Sequence, residues 1–457
     1  MEENKENFNQ DSAPNPDSNP DSNPDSSHDS QKTEAYGFVP PVPPAPPNGS
    51  DPLRSTIRAG FQEDLSLIPL NRNTNILSET TSASSLSCGN SVALLVKKYS
   101  ALTASQNIFN QEHLSLEHVL GEGNQGVVFF GERLGTDSFR LPIALKFFTP
   151  DGFRTETEYT QVMNHNAKVA AAVAQIQHDN LLDVRNWFML NDIRVMEMEW
   201  VDGYDLSQLM TNDVLEWMRQ HLTSQDFNTK TDVVVTYGPV RPRLKPGIAL
   251  SIIRDCLNAL SALHECGIVH GDIKPANIML KKTGRAKIID LGAAFFYHEK
   301  PPMKLCTPFY AAPEILNGNR VELPTPQADI ASLGYVLIEL LAGRSPFENV
   351  DEENGQKFIN ANELLQQKFN LIHHLEEILP SDVLMNSMLV DFCRRMIHPD
   401  RNIRFRSAKS AIVDEGGVAE IHRSLIKIGL ASEFDYDIQS WISQLKIPSS
   451  SIRKPKS

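Results

Sequence analysis

From His270 to Asn277 the chain reads His-Gly-Asp-Ile-Lys-Pro-Ala-Asn, and three of those side chains can divide a group transfer among them. The carboxylate of Asp272 can accept the proton of a substrate hydroxyl. Asn277 can ligate a metal, and the ammonium of Lys274 can neutralise charge on a transferring phosphoryl group. His270 reads as a packed, structural histidine rather than as a base. Further on, Ile288-Ile289 forms an apolar strand that ends in Asp290-Leu291-Gly292. A carboxylate at a strand end, facing the same cleft, is a natural Mg2+ ligand bridging phosphate oxygens. The bland alternative, an acid in a surface turn, is outweighed by the loop upstream.

A second group of residues lies well before this one. Gly121, Gly123 and Gly126, in GEGNQGVV, let a hairpin approach phosphates through its backbone N–H groups, where a Cβ would intrude. That spacing alone is weak, because a dinucleotide-binding turn shares it. Such a turn opens a helix, however, whereas GVVFFGER reads as a strand. Lys146 then ends Ile143-Ala144-Leu145-Lys146 in another apolar strand. A lysine among apolar neighbours needs an anionic partner, which nucleotide phosphates would supply, unless it snorkels to water from a sheet edge.

The elements that must position these groups follow a simple order. Short β-type runs come first (LEHVLG, GVVFFGER, PIALKFF), then the alanine-rich helical stretch NAKVAAAVAQIQ and the strand RVMEMEWV. After Leu206 the pattern turns helical, with LKPGIALSIIRDCLNALSALHECG ending at Gly267. Strands first and helices later predict an α+β architecture: a small β-rich lobe, a larger helical lobe and a cleft between them. Residues 211–244 are polar and read as an irregular insertion. Residues 91–114 read as a linker or an extension of the small lobe, 115–200 as that lobe, 201–410 as the large lobe and 411–457 as a helical tail.

The first 90 residues read as disordered and of low complexity. Residues 1–34 hold only Met1, Phe8 and Ala13 from the apolar set. Ordering them would cost on the order of 30–60 kcal/mol, against about 3 returned by one buried Phe. NPDS recurs there in tandem at 15–26, and PPVPPAPP follows at 40–47. The proline run reads as a stiff polyproline II spacer, with an SH3-like or WW-like partner as the alternative.

Over 457 residues, 57 Asp and Glu against 43 Lys and Arg give a net charge of −14, which argues against wholesale binding to nucleic acid or to an anionic membrane. The five cysteines (Cys88, Cys256, Cys266, Cys306, Cys393) are scattered and lack a C-x-x-C pair, as expected of reduced thiols in the cytoplasm. No secretory signal opens the chain. The best apolar run, 330–343, contains Glu339 and falls short of the roughly 20 residues that a membrane span needs.

Taken in order, these motifs resemble the eukaryotic-type serine/threonine protein kinase family across about residues 115–410. Gly121, Gly123 and Gly126 match its glycine-rich loop, and Lys146 matches the lysine of V-A-I-K. His270, Asp272 and Asn277 match H-R-D…N, Asp290 matches the Asp of D-F-G, and Ala312-Pro313-Glu314 matches A-P-E. The resemblance implies a two-lobed kinase fold binding ATP and Mg2+. Asp272 and Lys274 would be catalytic, and Asn277 and Asp290 would hold the metal. Gly121, Gly123, Gly126, Val128, Ala144, Lys146, Met198, Glu199 and Val201 would surround the nucleotide. Met198 resembles the gatekeeper, Glu199-Trp200-Val201 the hinge, and Thr307 the wall of the substrate pocket. Asp205 would face ribose or substrate, Asp329 would brace the catalytic loop, and Arg404 would pair with Glu314. Lys274-Pro275 resembles serine/threonine rather than tyrosine kinases, so the implied partner is a protein carrying a Ser or Thr acceptor.

Three positions depart from the family pattern. Gly271 replaces the arginine that would hold an activation-loop phosphate, and residues 293–306 offer only Tyr297 as an acceptor. Activity without activation-loop phosphorylation is therefore expected. Leu291 replaces Phe, a volume-tolerant exchange. The family's small-lobe glutamate, partner of Lys146, falls by the usual offset on Val169, which leaves Glu156 and Glu158 as candidates. Its absence would favour a pseudokinase scaffold that binds nucleotide without efficient transfer. A small-molecule phosphotransferase, which shares H-G-D-x-x-x-x-N, is the other alternative, but lacks an A-P-E stretch.

Overall fold

The computed structural model describes residues 86–104, 108–109, 113–299, 306–317, 325–347, 360–427 and 434–445. All of them lie in one compact unit spanning 64–457. The NPDS repeats and the proline run at 40–47 fall outside the described residues.

The small lobe is an antiparallel sheet. Its strands are β1 (Leu114–Gly123), β2 (Gly126–Leu134), β3 (Arg140–Phe148), β4 (Val184–Leu190) and β5 (Ile193–Glu199), in the order β1-β2-β3-β5-β4. Ile108–Phe109 pairs with the outer edge of β1. The register sets Val128 opposite Lys146, Phe130 opposite Ala144, and Ala144 opposite Met198, so the expected nucleotide-facing residues share neighbouring positions on adjacent strands. Two helices cover the sheet. α1 (Leu86–Ala104) begins inside the span expected to be disordered and buries Leu95 and Leu102 in the core. α2 (Glu156–Val173) is capped by Thr155, whose hydroxyl accepts from the Glu158 N–H. Ser91 and Lys98 of α1 hydrogen-bond to Glu156 and Asp192, tying α1 to both α2 and the turn between β4 and β5.

The chain then enters a helical lobe through β6 (Gly203–Asp205). The 211–244 segment, irregular by its sequence, folds as α3 (Asn212–His221) and α4 (Ser224–Val233), followed by a short ladder between 235–236 and 243–244. Val214, Leu215 and Met218 form the buried face of α3, and Thr223 caps α4. α5 (Pro246–Glu265) has Pro at its start and stops just before Gly267, whose φ of 75° is the left-handed geometry that favours glycine.

Between α5 and the next long helix lie β7 (Ile278–Lys281) and β8 (Ala286–Ile288), which complete a three-stranded sheet with β6. α6 (Pro326–Ala342) is buried at every position from Ala328 to Ala342 and apolar there apart from Asp329, Ser332 and Glu339, as suits a helix at the centre of a lobe. It contains most of the 330–343 run. Among the described residues no helix is long and apolar enough to cross a membrane. The lobe closes with α7 (Ala361–Asn370), α8 (Ser387–Met396), α9 (Ala408–Val413), α10 (Val418–Lys427) and α11 (Phe434–Gln444). The C-terminal helices are built into the lobe: Trp441 and Ile442 are fully buried in its core.

Candidate active site

The loop from His270 to Asn277 is held from beneath by Asp329, near the start of α6. Its carboxylate accepts from the backbone N–H of His270 at 2.8 Å and of Gly271 at 2.9 Å, and from His264 Nε2 at 2.9 Å. Burial alone would raise the Asp329 carboxyl; the His264 hydrogen bond and nearby positive charge override it and hold the group below the usual range. His270 itself is buried. Its Nε2 lies 3.1 Å from the Ile289 carbonyl and its Nδ1 accepts from the Asp272 N–H at 3.3 Å, which fixes the ring as a strut between the loop and the strand leading to Asp290.

Above this base Asp272 is surrounded by donors. Oδ1 accepts from the Thr307 N–H at 2.9 Å and its hydroxyl at 2.7 Å; Oδ2 accepts from Lys274 Nζ at 2.6 Å. Lys274 Nζ also reaches the Thr307 hydroxyl at 3.1 Å. Asn277 Nδ2 donates to the Asp272 carbonyl at 2.7 Å, and the Asn277 carbonyl accepts from Ile289 N–H at 2.9 Å. Those two bonds join the catalytic-type loop to the Asp290 strand, so Asp272, Asn277 and Asp290 belong to one constellation.

Asp290 sits at φ 62°, a left-handed backbone that a non-glycine residue adopts at some cost. Its Oδ1 pairs with Lys146 and accepts from the Gly292 N–H at 3.1 Å. Burial pushes this carboxyl up, but the charge and hydrogen bond of Lys146 outweigh it and bring the pKa to about 2. Lys146 is buried in β3, 5.3 Å over the Phe148 ring, and also donates to Gln125 Oε1 at 2.7 Å. The partner expected on α2 is missing: Glu156 accepts from Ser91, and Glu158 accepts from the Arg154 N–H at 2.9 Å. Gln125, at the tip of the glycine hairpin, fills part of that role.

The glycines differ in what they permit. A Cβ on Gly126 would lie 1.9 Å from the Phe147 carbonyl, so β2 can approach β3 only with glycine there, whereas a Cβ on Gly123 would meet open space. Met198 and Val201 are buried where β5 leaves the small lobe. Glu199 turns its side chain away, accepting from the Asp183 N–H at 2.7 Å and from Lys287, and its own N–H donates to the Asp183 carbonyl at 3.0 Å. Asp205 caps the turn at Leu206–Leu209 through Gln208 N–H at 2.9 Å. Arg404 pairs with Glu314 through two 2.7 Å contacts. His264, Gln125 and Glu339 escape the sequence reading: each is a single polar residue whose partner is remote in the chain, and no spacing rule connects them.

Residues 114–414 match the protein kinase domain family. The chain belongs to the eukaryotic-type serine/threonine protein kinase family. It is 32% identical over 247 residues to a probable serine/threonine-protein kinase of Dictyostelium discoideum, covering 54% of this chain and 15% of that one. It is 26% identical over 303 residues to NUAK family SNF1-like kinase 2 of Rattus norvegicus, covering 64% and 42%. To protein kinase kin1 of Schizosaccharomyces pombe it is 30% identical over 247 residues, covering 51% and 24%. The matches thus span less than half the length of each of these relatives.

Proposed function

We propose that this chain transfers the γ-phosphoryl group of MgATP to a serine or threonine hydroxyl of a protein substrate. One observation supports this above the rest: Asp272 is oriented by Thr307, Lys274 and the backbone of its own loop, and Asn277 links that loop to Asp290. Asp272 would take the hydroxyl proton as the new P–O bond forms, and Lys274 would offset charge on the phosphoryl oxygens as the bond to the nucleotide breaks. The donor set fits a hard divalent cation. Asp290 stays ionised at neutral pH, and Asn277, with its amide nitrogen committed to Asp272, has an oxygen left to offer. Asp290 and Asn277 would hold Mg2+, which when bound would supply charge neutralisation at the phosphates. Lys146 and the glycine hairpin would hold the phosphates.

The scaffold alternative rests on the missing glutamate partner of Lys146. Against it stand Asp272, Asn277 and Asp290 together, which a nucleotide-holding scaffold has no need to keep. Among the described residues Cys256, Cys266 and Cys393 form no disulfide, which supports a cytoplasmic setting.

The test is phosphate transfer from radiolabelled ATP to generic protein acceptors and, in parallel, to small alcohols. Full-length protein should label protein Ser and Thr only. Asp272→Asn should lose at least about 10³-fold in turnover, the upper range for a general base, while nucleotide binding changes little. Lys146→Ala should weaken both. Unaltered turnover in Asp272→Asn would refute the assignment, and transfer to alcohols alone would move the chain to the small-molecule class.

A further inference from the structure

Lys146 lies in β3 among apolar neighbours, and a buried ammonium needs acceptors that hold it in one place. It donates to a carboxylate oxygen of Asp290 and, at 2.7 Å, to Oε1 of Gln125. An ammonium can only donate, so the amide of Gln125 must turn its oxygen toward it. The two acceptors differ in duty. Asp290 is the carboxylate that would take a metal, and a divalent cation there draws on the same group that Lys146 uses. Gln125 carries no charge and belongs to the hairpin that would cover the phosphates.

The reach of Gln125 to Lys146 is built into the backbone around it. The Gln125 carbonyl accepts from the Thr149 N–H at 3.0 Å, one residue beyond β3, and Gly126 closes against the Phe147 carbonyl. The tip of the hairpin is thus fastened to the strand that carries the lysine. On its other side the amide lies against Gly292, where a Cβ would fall 1.6 Å from Gln125 Oε1 and 2.5 Å from its Cδ. The Asp290-Leu291-Gly292 turn admits this amide because residue 292 is glycine. The first-turn acids of α2 are engaged elsewhere, Glu156 with Ser91 and Glu158 with the Arg154 N–H.

We propose that Gln125 is the positioning residue for Lys146, so that the hairpin over the phosphates, rather than an acid of α2, orients the lysine. A neutral amide oxygen directs the ammonium through a hydrogen bond without setting another negative charge beside the phosphates. Lys146 keeps its place by this bond when Asp290 serves a metal. The acids of α2 are then dispensable for nucleotide binding, and α2 is relieved of a duty that the family pattern would give it. The inference rests on the protein-kinase reading above for its nucleotide, but the Lys146–Gln125 contact itself can be read without one.

The experiment treats full-length protein, without nucleotide, with trinitrobenzenesulfonate and follows modification of Lys146 by peptide mass spectrometry. Binding is measured separately with methylanthraniloyl-ATP and Mg2+ by fluorescence. Gln125→Met keeps the length of the side chain and loses the acceptor, whereas Gln125→Glu keeps the acceptor. Lys146 should be modified about tenfold faster in Gln125→Met, the scale of one hydrogen bond to a charged group, and no faster than in wild type in Gln125→Glu. A role in packing alone would leave Gln125→Met at the wild-type rate. Gln125→Met should weaken binding of the labelled ATP by about tenfold, yet cost nothing further in Lys146→Met, which has no ammonium to orient. Glu156→Gln combined with Glu158→Gln should bind as wild type does. The proposal is overturned if Lys146 reacts equally fast in Gln125→Met and wild type, if the losses of Gln125→Met and Lys146→Met add, or if the α2 pair weakens binding as much as Gln125→Met. The expected modification rates in a wild-type protein that binds no labelled ATP would uphold the positioning of Lys146 and refute the kinase reading instead.

Discussion

At Gly271 the backbone has φ 79°, and a Cβ built there would sit 2.8 Å from the Ala293 carbonyl and 3.2 Å from the Phe295 ring. The arginine that the family places here is therefore excluded by the local geometry, beyond any question of regulation. Gly271→Arg should destabilise the fold by about 1–3 kcal/mol from the strained backbone alone and lower turnover, since the same residue donates to Asp329. Urea denaturation beside an activity assay would show it. Phosphosite mapping of active protein should find no required phosphate in 293–306, and a required one at Tyr297 would contradict the expectation. The residues legible in sequence at this scale are those that stand in fixed short patterns: Asp272, Lys274 and Asn277 on one loop, Asp290 at a strand end. What binds them together is not legible. Gln125 and His264 act through contacts between segments distant in the chain, and only the folded structure makes those distances short.

Among the elements, α6 carries the heaviest burden, because one buried helix holds two carboxylates, Asp329 under the catalytic-type loop and Glu339 against Tyr310 and Arg241. Burying Asp329 is tolerable only because His264 and two backbone N–H groups meet it. His264→Leu removes one of those partners, and losing a hydrogen bond to a buried charged group costs about 1.5–3 kcal/mol. The pH dependence has a definite sign. Because Asp329 is held below its ordinary value, it adds stability above about pH 4 that is lost as pH falls through its folded value. In His264→Leu, burial acts with less opposition, so the acid limb of a stability-against-pH curve should begin at higher pH than in wild type. Urea midpoints measured from neutral pH downward would show the shift, and coincident acid limbs would contradict it. The order of strands and helices was readable because apolar spacing reports it directly. Residues 211–244 misled because α3 buries just Val214, Leu215 and Met218, too few to stand out among polar neighbours.

At the scale of the whole molecule, the kinase-family match ends at 414, yet the folded lobe does not. α11 returns to the lobe and is fastened along its length. Asp435 accepts from Arg285 at 2.9 Å and Ser251 at 2.8 Å, and Ser440 accepts from Lys230 at 2.7 Å. The Leu445 carbonyl accepts from the Tyr204 hydroxyl at 2.9 Å. A Cβ on Gly247 would strike the Phe434 ring at 2.1 Å, so α5 is shaped by sequence to admit this helix. Trp441 is fully buried, with its indole N–H 3.3 Å from Met218 Sδ on α3. The polar 211–244 segment and the C-terminal helix therefore complete each other's packing, which neither sequence shows alone. Trp441→Ala should cost about 3–5 kcal/mol by opening a cavity between α3 and α11. A protein ending at 414 should lose that contact and the Asp435 anchors together, and expose the apolar faces of α3 and α5. Its thermal transition should fall well below that of the full chain, with α3 cleaved early in limited proteolysis. Equal stability of the two forms would mean that α11 rests on the lobe without supporting it.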